Sequence, residues 1–302
     1  MPRTFLPPKA PRRRADGGRP AGAGRAPAPQ RARGNPRAGA QLHTPVPEFA
    51  AEQRVHERDL LVVCGLAAVE ALFLGDAARV ERLFFEPRLA RALATPRRLL
   101  AKTHKPYREV EADELARIAG TIRHGGVVAV ARPKPLLALD PKLAAGWARD
   151  GRALLILDGI GNPHNLGAIV RSAAYFGVRR IVLADRPEQA LPSAASYRVA
   201  EGALDRVMLY RAPLAAALPA LKRFYRIVGT ALGHGVALAE LRSDRPVALI
   251  LGNEENGIDP ATLALCDTVV TIPGVALPGS GQVQSLNVAA AAAVLCYALR
   301  SP

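Results

Sequence analysis

Hydrophobic positions along the chain fall into three regimes. Over residues 1–55 neither a period of 2 nor one of 3.6 is present, and Pro, Gly, Ala and Arg dominate, which predicts a disordered arm without a core of its own. Over 56–135 the period alternates. An apolar run at 60–63 leads into a helix at 66–74, with Val69, Leu72 and Phe73 on one face. A strand at 80–85, helical stretches at 89–93 and 97–102, a strand at 107–110, a helix at 113–119 and a strand at 127–131 complete a small α/β domain. Residues 136–152 read as a linker carrying a short helix near 142–148. From 153 to 302, strands at 154–157, 180–183, 226–230 and 248–252 alternate with helical segments, the pattern of a largely parallel sheet covered on both faces. Ligands of such sheets bind at loops beyond the carboxyl ends of the strands.

Composition adds a partner. The formal charge is +15, and ten Lys or Arg against two acids lie before position 50, so much of the excess sits in the arm. An arm of that kind suits a polyanion, because each neutralised phosphate releases condensed counterions, although a solubilising tail would have the same composition. The three cysteines, Cys64, Cys266 and Cys296, form no CxxC pair, which fits a reducing compartment. The six histidines form no HExxH pair, so no metal site is expected. The apolar stretch 286–299 is too short to span a bilayer and holds Asn287. No apolar signal segment opens the chain. A soluble, cytoplasmic protein is expected, with no membrane partner.

The loops narrow the chemistry. After the strand at 154–157 comes Asp158-Gly-Ile-Gly-Asn-Pro-His-Asn-Leu-Gly167, where the third glycine falls too late for the dinucleotide fingerprint GxGxxG, and no P-loop is present anywhere. Three polar loops remain: Asn165-Leu-Gly-Ala-Ile-Val-Arg171, Leu251-Gly252-Asn-Glu254-Glu-Asn-Gly257, and Leu277-Pro-Gly-Ser-Gly-Gln-Val-Gln-Ser285-Leu286-Asn287-Val288, the last opening an alanine-rich helix. Together they resemble the three motifs of the SpoU (TrmH) family of the SPOUT methyltransferase superfamily, over about 153–299. The preceding domain, with Cys64-Gly-Leu-Ala-Ala-Val-Glu-Ala-Leu and Ile122-Arg-His-Gly-Gly-Val127, is similar to that family's ribosomal-protein-L30e-like substrate-binding domain.

The resemblance implies a parallel-sheet SPOUT domain with a C-terminal trefoil knot, acting as a homodimer. It implies transfer of a methyl group from S-adenosyl-L-methionine (SAM) to a ribose 2′-OH of tRNA or rRNA, with RNA and not DNA as partner. Backbone around Ala231, Leu232, Gly233, Gly252, Ile272 and Leu286 would line the SAM pocket. Arg171 would bind the neighbouring phosphate and stabilise developing alkoxide charge, a role easier for an arginine than general base. Glu254 would hold the knot loop through backbone amides or orient Arg171. Asn165 and Asn287 would hydrogen-bond at the substrate end, with Asn165 also a candidate helix N-cap. Ser285 would position the acceptor or cap the last helix, and His164 lies outside the pattern.

Two departures stand out. About five extra residues separate Ile272-Pro273-Gly274 from Ser285, with a second Pro278-Gly279, and Glu201 stands where many relatives carry Ser. The inserted loop leaves open a non-catalytic RNA-binding protein on the same fold. An oxidoreductase on a doubly wound sheet would need the missing GxGxxG.

Overall fold

The computed structural model describes residues 60–275 and 285–299. The arm expected over 1–55 and the second Pro-Gly pair, Pro278-Gly279, lie outside the described residues.

The first sheet gathers β1 (Leu61–Cys64), β2 (Val80–Phe85), β3 (Tyr107–Glu109) and β4 (Val127–Ala131) in the order β1-β4-β2-β3. β4 runs antiparallel to both neighbours, and β3 joins β2 in parallel. Every residue of β4 is buried, as a central strand covered on both faces requires. Helices α1 (Leu66–Asp76), α2 (Ala94–Lys102) and α3 (Ala112–Ala119) complete this part. The helical stretch expected at 89–93 is instead a 3₁₀ turn at Pro87–Leu89 and an irregular turn after it.

The second sheet has eight strands, all paired in parallel. They are β5 (Leu137–Ala138), β6 (Leu154–Asp158), β7 (Arg180–Ala184), β8 (Met208–Ala212), β9 (Arg226–Thr230), β10 (Val236–Ala237), β11 (Val247–Gly252) and β12 (Thr268–Thr271). Their order is β10-β12-β9-β11-β6-β7-β8-β5. β6 and β11 are buried at every position. The segment 136–152 does more than link: β5 extends the large sheet beside β8, and α4 (Pro141–Arg149) seats Trp147 in the core with Tyr210. Between the strands lie α5 (Pro163–Tyr175), α6 (Ala194–Ala200), α7 (Ala203–Arg206), α8 (Leu214–Leu221) and α9 (Pro260–Leu263), with α10 (Val288–Ala298) last. α5 buries Leu166, Ile169, Val170 and Ala173, one apolar stripe of a 3.6-residue period. Gly167 lets α6 approach, since a Cβ there would stand 2.5 Å from the Ser196 carbonyl oxygen. Among the described residues no helix is long and apolar enough to cross a membrane.

The two sheets are fastened together by a buried polar cluster. Arg79, just before β2, donates to Asp205 Oδ1 at 2.6 Å and to Tyr197 Oη at 2.9 Å, with the Arg79 and Asp205 side chains 5% and 1% exposed. Lys134 adds bonds to the carbonyls of Leu204 and Val207. Burial pushes the Tyr197 phenol up to about 12, with the Asp205 charge adding to the effect, so it stays a neutral hydroxyl. Around the cluster α1 packs on α7, and Gly202 (φ 87°) faces α1 so closely that a Cβ would meet the Ala71 Cβ at 2.8 Å.

Candidate active site

Consecutive strands leave β6 toward β7 on one side while β11 borders it on the other, so the order reverses at the β6/β11 boundary. Their carboxyl ends meet in register, Gly252 opposite Asp158. A crevice opens there for the reason such switch points bind ligands: the loops that follow the two strands part in opposite directions.

On the β6 side, Asn162 caps α5 by accepting from the His164 amide at 2.8 Å, and Pro163 takes the first helical position. The cap is therefore Asn162 and not Asn165. One turn inside α5, the Asn165 side chain donates to Glu254 Oε1 at 2.7 Å. Glu254 also accepts from the amides of Gly161 (3.2 Å) and Asn162 (3.4 Å), so one carboxylate from the β11 loop gathers the start of α5. At the far side Asn287 caps α10 through Ala289 N (2.8 Å) and donates to Asn165 Oδ1 at 3.2 Å. Ser285 does not fill that capping place. Asn287, Asn165 and Glu254 thus form one continuous relay across three segments of chain.

Arg171 lies elsewhere. It sits on α5 about 9 Å beyond Asn165 along the helix axis. Its Nη1 pairs with Glu201 Oε1 at 2.8 Å, both side chains being more than half exposed. Of the two roles expected for Glu254, bonding to backbone amides is found, at Gly161 and Asn162, whereas orienting Arg171 is not, because Glu201 pairs with the guanidinium.

Beside the relay, beyond the ends of β9, β11 and β12, lies a cavity of about 1000 Å³. Ala231, Leu232, Gly233, Gly252, Ile272 and Leu286 all line it, as do Glu254 and Ser285. The volume stands at the upper end of the ~300–1,000 Å³ usual for small-molecule sites. Two glycines shape the wall. At Gly252 a Cβ would lie 2.2 Å from the Gly257 carbonyl carbon and the Ile258 nitrogen, so no side chain fits. Gly233, at φ 71°, has open space where its Cβ would be, so a ligand can approach bare backbone. Leu232 and Leu286 remain 64% and 51% exposed, apolar surface available to a flat ring.

The sequence matches the family described as SpoU rRNA Methylase over residues 152–297, and the domain described as RNA 2′-O ribose methyltransferase substrate binding over 62–137. It is 34% identical over 246 residues to the 23S rRNA (guanosine-2′-O-)-methyltransferase RlmB of Acinetobacter baylyi, covering 77% of this chain and 94% of that protein. The chain belongs to the SpoU methylase family. It is accordingly a SAM-dependent RNA methyltransferase that acts on a ribose 2′-OH. Another relative is the uncharacterized tRNA/rRNA methyltransferase YfiF of Escherichia coli O157:H7, 31% identical over 255 residues, 82% of this chain and 69% of that one. The fold is also that of the AdoMet-bound rRNA methyltransferase of Sinorhizobium meliloti, with a TM-score of 0.64 at 21% identity over 81% of this chain and 88% of that one.

Of the residues that brace the site of this SpoU methylase, Asn253 lies within the second polar loop, whereas Gln189 and Arg186 lie outside all three. Gln189, 4% exposed, accepts from the amides of Gly159 (3.0 Å) and Ile160 (3.2 Å) and so fixes the loop after β6. Asn253 donates to the Gly159 carbonyl at 2.7 Å, tying the two crevice loops together. Arg186 bridges Asp158 and Asp259, both at 3.0 Å. Burial pushes the Asp158 carboxyl up despite that pairing, whereas the hydrogen bond from Arg186 holds Asp259 down. A lone Gln or Arg in a loop has no spacing to betray such a role.

Proposed function

We propose that this SpoU methylase transfers its methyl group to the ribose 2′-OH of a guanosine in 23S rRNA. The observation that carries the reading is the relay Asn287–Asn165–Glu254 set directly against the glycine-walled cavity, which puts polar acceptor groups beside a donor site. The nucleobase preference is drawn from relatives printed as 23S rRNA (guanosine-2′-O-)-methyltransferases in Acinetobacter, Nitrosomonas and Bordetella.

The six cavity residues would hold SAM, with bare backbone at Gly233 and Gly252 along the ligand and Leu232 and Leu286 against its base. Bound there, SAM supplies an electrophilic methyl on a sulfonium. The residues of the chain do the rest. Asn165 and Asn287 hydrogen-bond the acceptor ribose, Ser285 lines the path between donor and acceptor, and Glu254 holds the loop that carries Asn165. Arg171 binds a phosphate next to the target nucleotide and offsets the negative charge that grows on O2′ as its proton leaves to solvent.

Four further features belong to the same proposal. Residues 56–135 would recognise substrate and 153–302 carry out transfer, with 136–152 between them and the arm 1–55 adding sequence-tolerant RNA affinity. The C-terminal segment would thread into a trefoil knot around the cavity. A homodimer is supported by two exposed tyrosines at the ends of α5 and α10, Tyr175 and Tyr297, which both stack edge-on against the half-buried Phe176. Such a protein works where ribosomal RNA matures, in the cytoplasm.

The test is methylation by the full chain with tritiated SAM on 23S rRNA transcript and on a tRNA pool, followed by mapping of 2′-O-methyl positions. Label at a single guanosine of 23S rRNA is the expected result. Label confined to tRNA, or to another nucleotide, overturns the substrate assignment.

A further inference from the structure

Glu201 stands at the end of α6 with φ 45° and ψ 48°. That left-handed conformation is glycine's, and a residue with a Cβ is strained in it. Gly202 follows, itself at φ 87°, so the turn carries two left-handed residues in a row and places a glutamate at the first. Nothing is recovered by burial, because the Glu201 side chain is 58% exposed. What it gains is Arg171, 2.8 Å from Oε1.

The turn is also held from behind. Gly202 lies tight against α1, and Asp205 is locked in the buried pair with Arg79. The backbone of Glu201 is thereby fixed by the part of the molecule that matches the substrate-binding domain, while its carboxylate reaches the helix that carries Arg171.

We propose that Glu201 is a positioning residue whose carboxylate occupies the Arg171 guanidinium until a backbone phosphate of the substrate RNA displaces it. This rests on the reading of Arg171 as the phosphate-binding group. A carboxylate and a phosphodiester present the same kind of oxygen pair to the planar fork of an arginine. The Arg171–Glu201 pair is exposed and solvent-screened, hence weak. A phosphate delivered along with the other contacts of a bound RNA displaces it readily, and an isolated anion does so poorly. The exposed carboxylate then turns away into water. Arg171 is thus kept extended on α5 and is charge-balanced until an RNA seated elsewhere on the protein brings a phosphate to that point.

The experiment compares Glu201→Gln, Glu201→Gly, Arg171→Ala and the double variant Arg171→Ala/Glu201→Gln in the full chain with SAM. The probes are 23S rRNA transcript for kinetics and binding, and poly(U) for binding alone. Glu201→Gln should lower the KM for 23S rRNA about two- to fivefold, the span of an exposed ion pair, with a smaller change in kcat. Its affinity for poly(U) should rise by a similar factor. Both gains should vanish in the Arg171→Ala background. Glu201→Gly should act in the same direction with an equal or higher melting temperature, since the strain is relieved. An unchanged KM in Glu201→Gln, or a fall in kcat alone, overturns the proposal. So does a gain in RNA affinity that persists without Arg171, which would reflect general charge. If Arg171→Ala itself methylates at the wild-type rate, the failure lies with the reading of Arg171.

Discussion

The two halves of the crevice are built to opposite specifications. The cavity side is backbone and apolar surface at the ends of three buried parallel strands, with Gly252 so confined that a single methyl would collide with the next loop. The other half is side chains: the relay Asn287–Asn165–Glu254 at the crevice and, farther along α5, the exposed ion pair of Arg171 with Glu201. A small ligand of constant shape can be met by a fixed wall, whereas a long polyanion must be met by groups that can exchange partners. On the proposed assignment, the difference divides the chemistry into a rigid donor half and an adaptable acceptor half.

The largest expected effect tests that division directly. Arg171→Ala should slow single-turnover methylation about 10²–10³-fold, as loss of one charge-stabilising donor does elsewhere, while calorimetry finds the SAM dissociation constant unchanged. A parallel loss of SAM binding would merge the two halves. The converse variant is Gly252→Ala, whose added Cβ forces the Gly257 loop aside. Overpacking of that kind costs about 1–3 kcal/mol, so SAM affinity should fall roughly ten- to a hundredfold while filter binding of 23S rRNA holds. Weaker RNA binding of the same size would show that the wall is shared. The smallest effect is at Asn287, which belongs to both halves as the α10 cap and the partner of Asn165. Asn287→Ala removes the cap and about 1 kcal/mol, or a melting shift of about 2–4 °C. Asn287→Asp keeps the capping oxygen but not the donor, so it should restore the melting temperature and not the rate.

The rigid half was the more legible in sequence. Uninterrupted apolar runs at 154–157 and 248–252 announce buried parallel strands, and the glycines beside them mark where backbone must come close. Strands such as Thr268–Thr271 and Met208–Ala212 escaped, since each mixes polar with apolar residues and is only partly buried. In the adaptable half the residue types and the bonding of Glu254 to backbone amides are legible, whereas the cap of α5 and the partner of Arg171 are not. Asn165 was a candidate cap, yet Asn162 ahead of Pro163 carries the stronger start signal, because proline favours the first helical position. Glu254 and Arg171 were candidate partners, but Arg171 turns to Glu201, and that pairing follows from a left-handed turn that no sequence pattern encodes. Ser193 and Ser196 form a reciprocal cap at the start of α6, a signal of the right kind at too short a helix to be noticed.

The cluster of Arg79, Tyr197 and Asp205 has a consequence for how such enzymes diversify. A recognition module attached by a slack tether can be exchanged for another without touching the catalytic half. Here the exchange would strand Asp205, 1% exposed, without its cation, and an orphaned buried charge destabilises by about 3–5 kcal/mol. Chimaeras that graft a foreign recognition module onto residues 153–302 therefore need either an arginine at the equivalent of Arg79 or a neutral, apolar replacement for Asp205. In this chain the two sides of that lock must be exchanged together, whereas point substitutions elsewhere in residues 62–137 leave it intact.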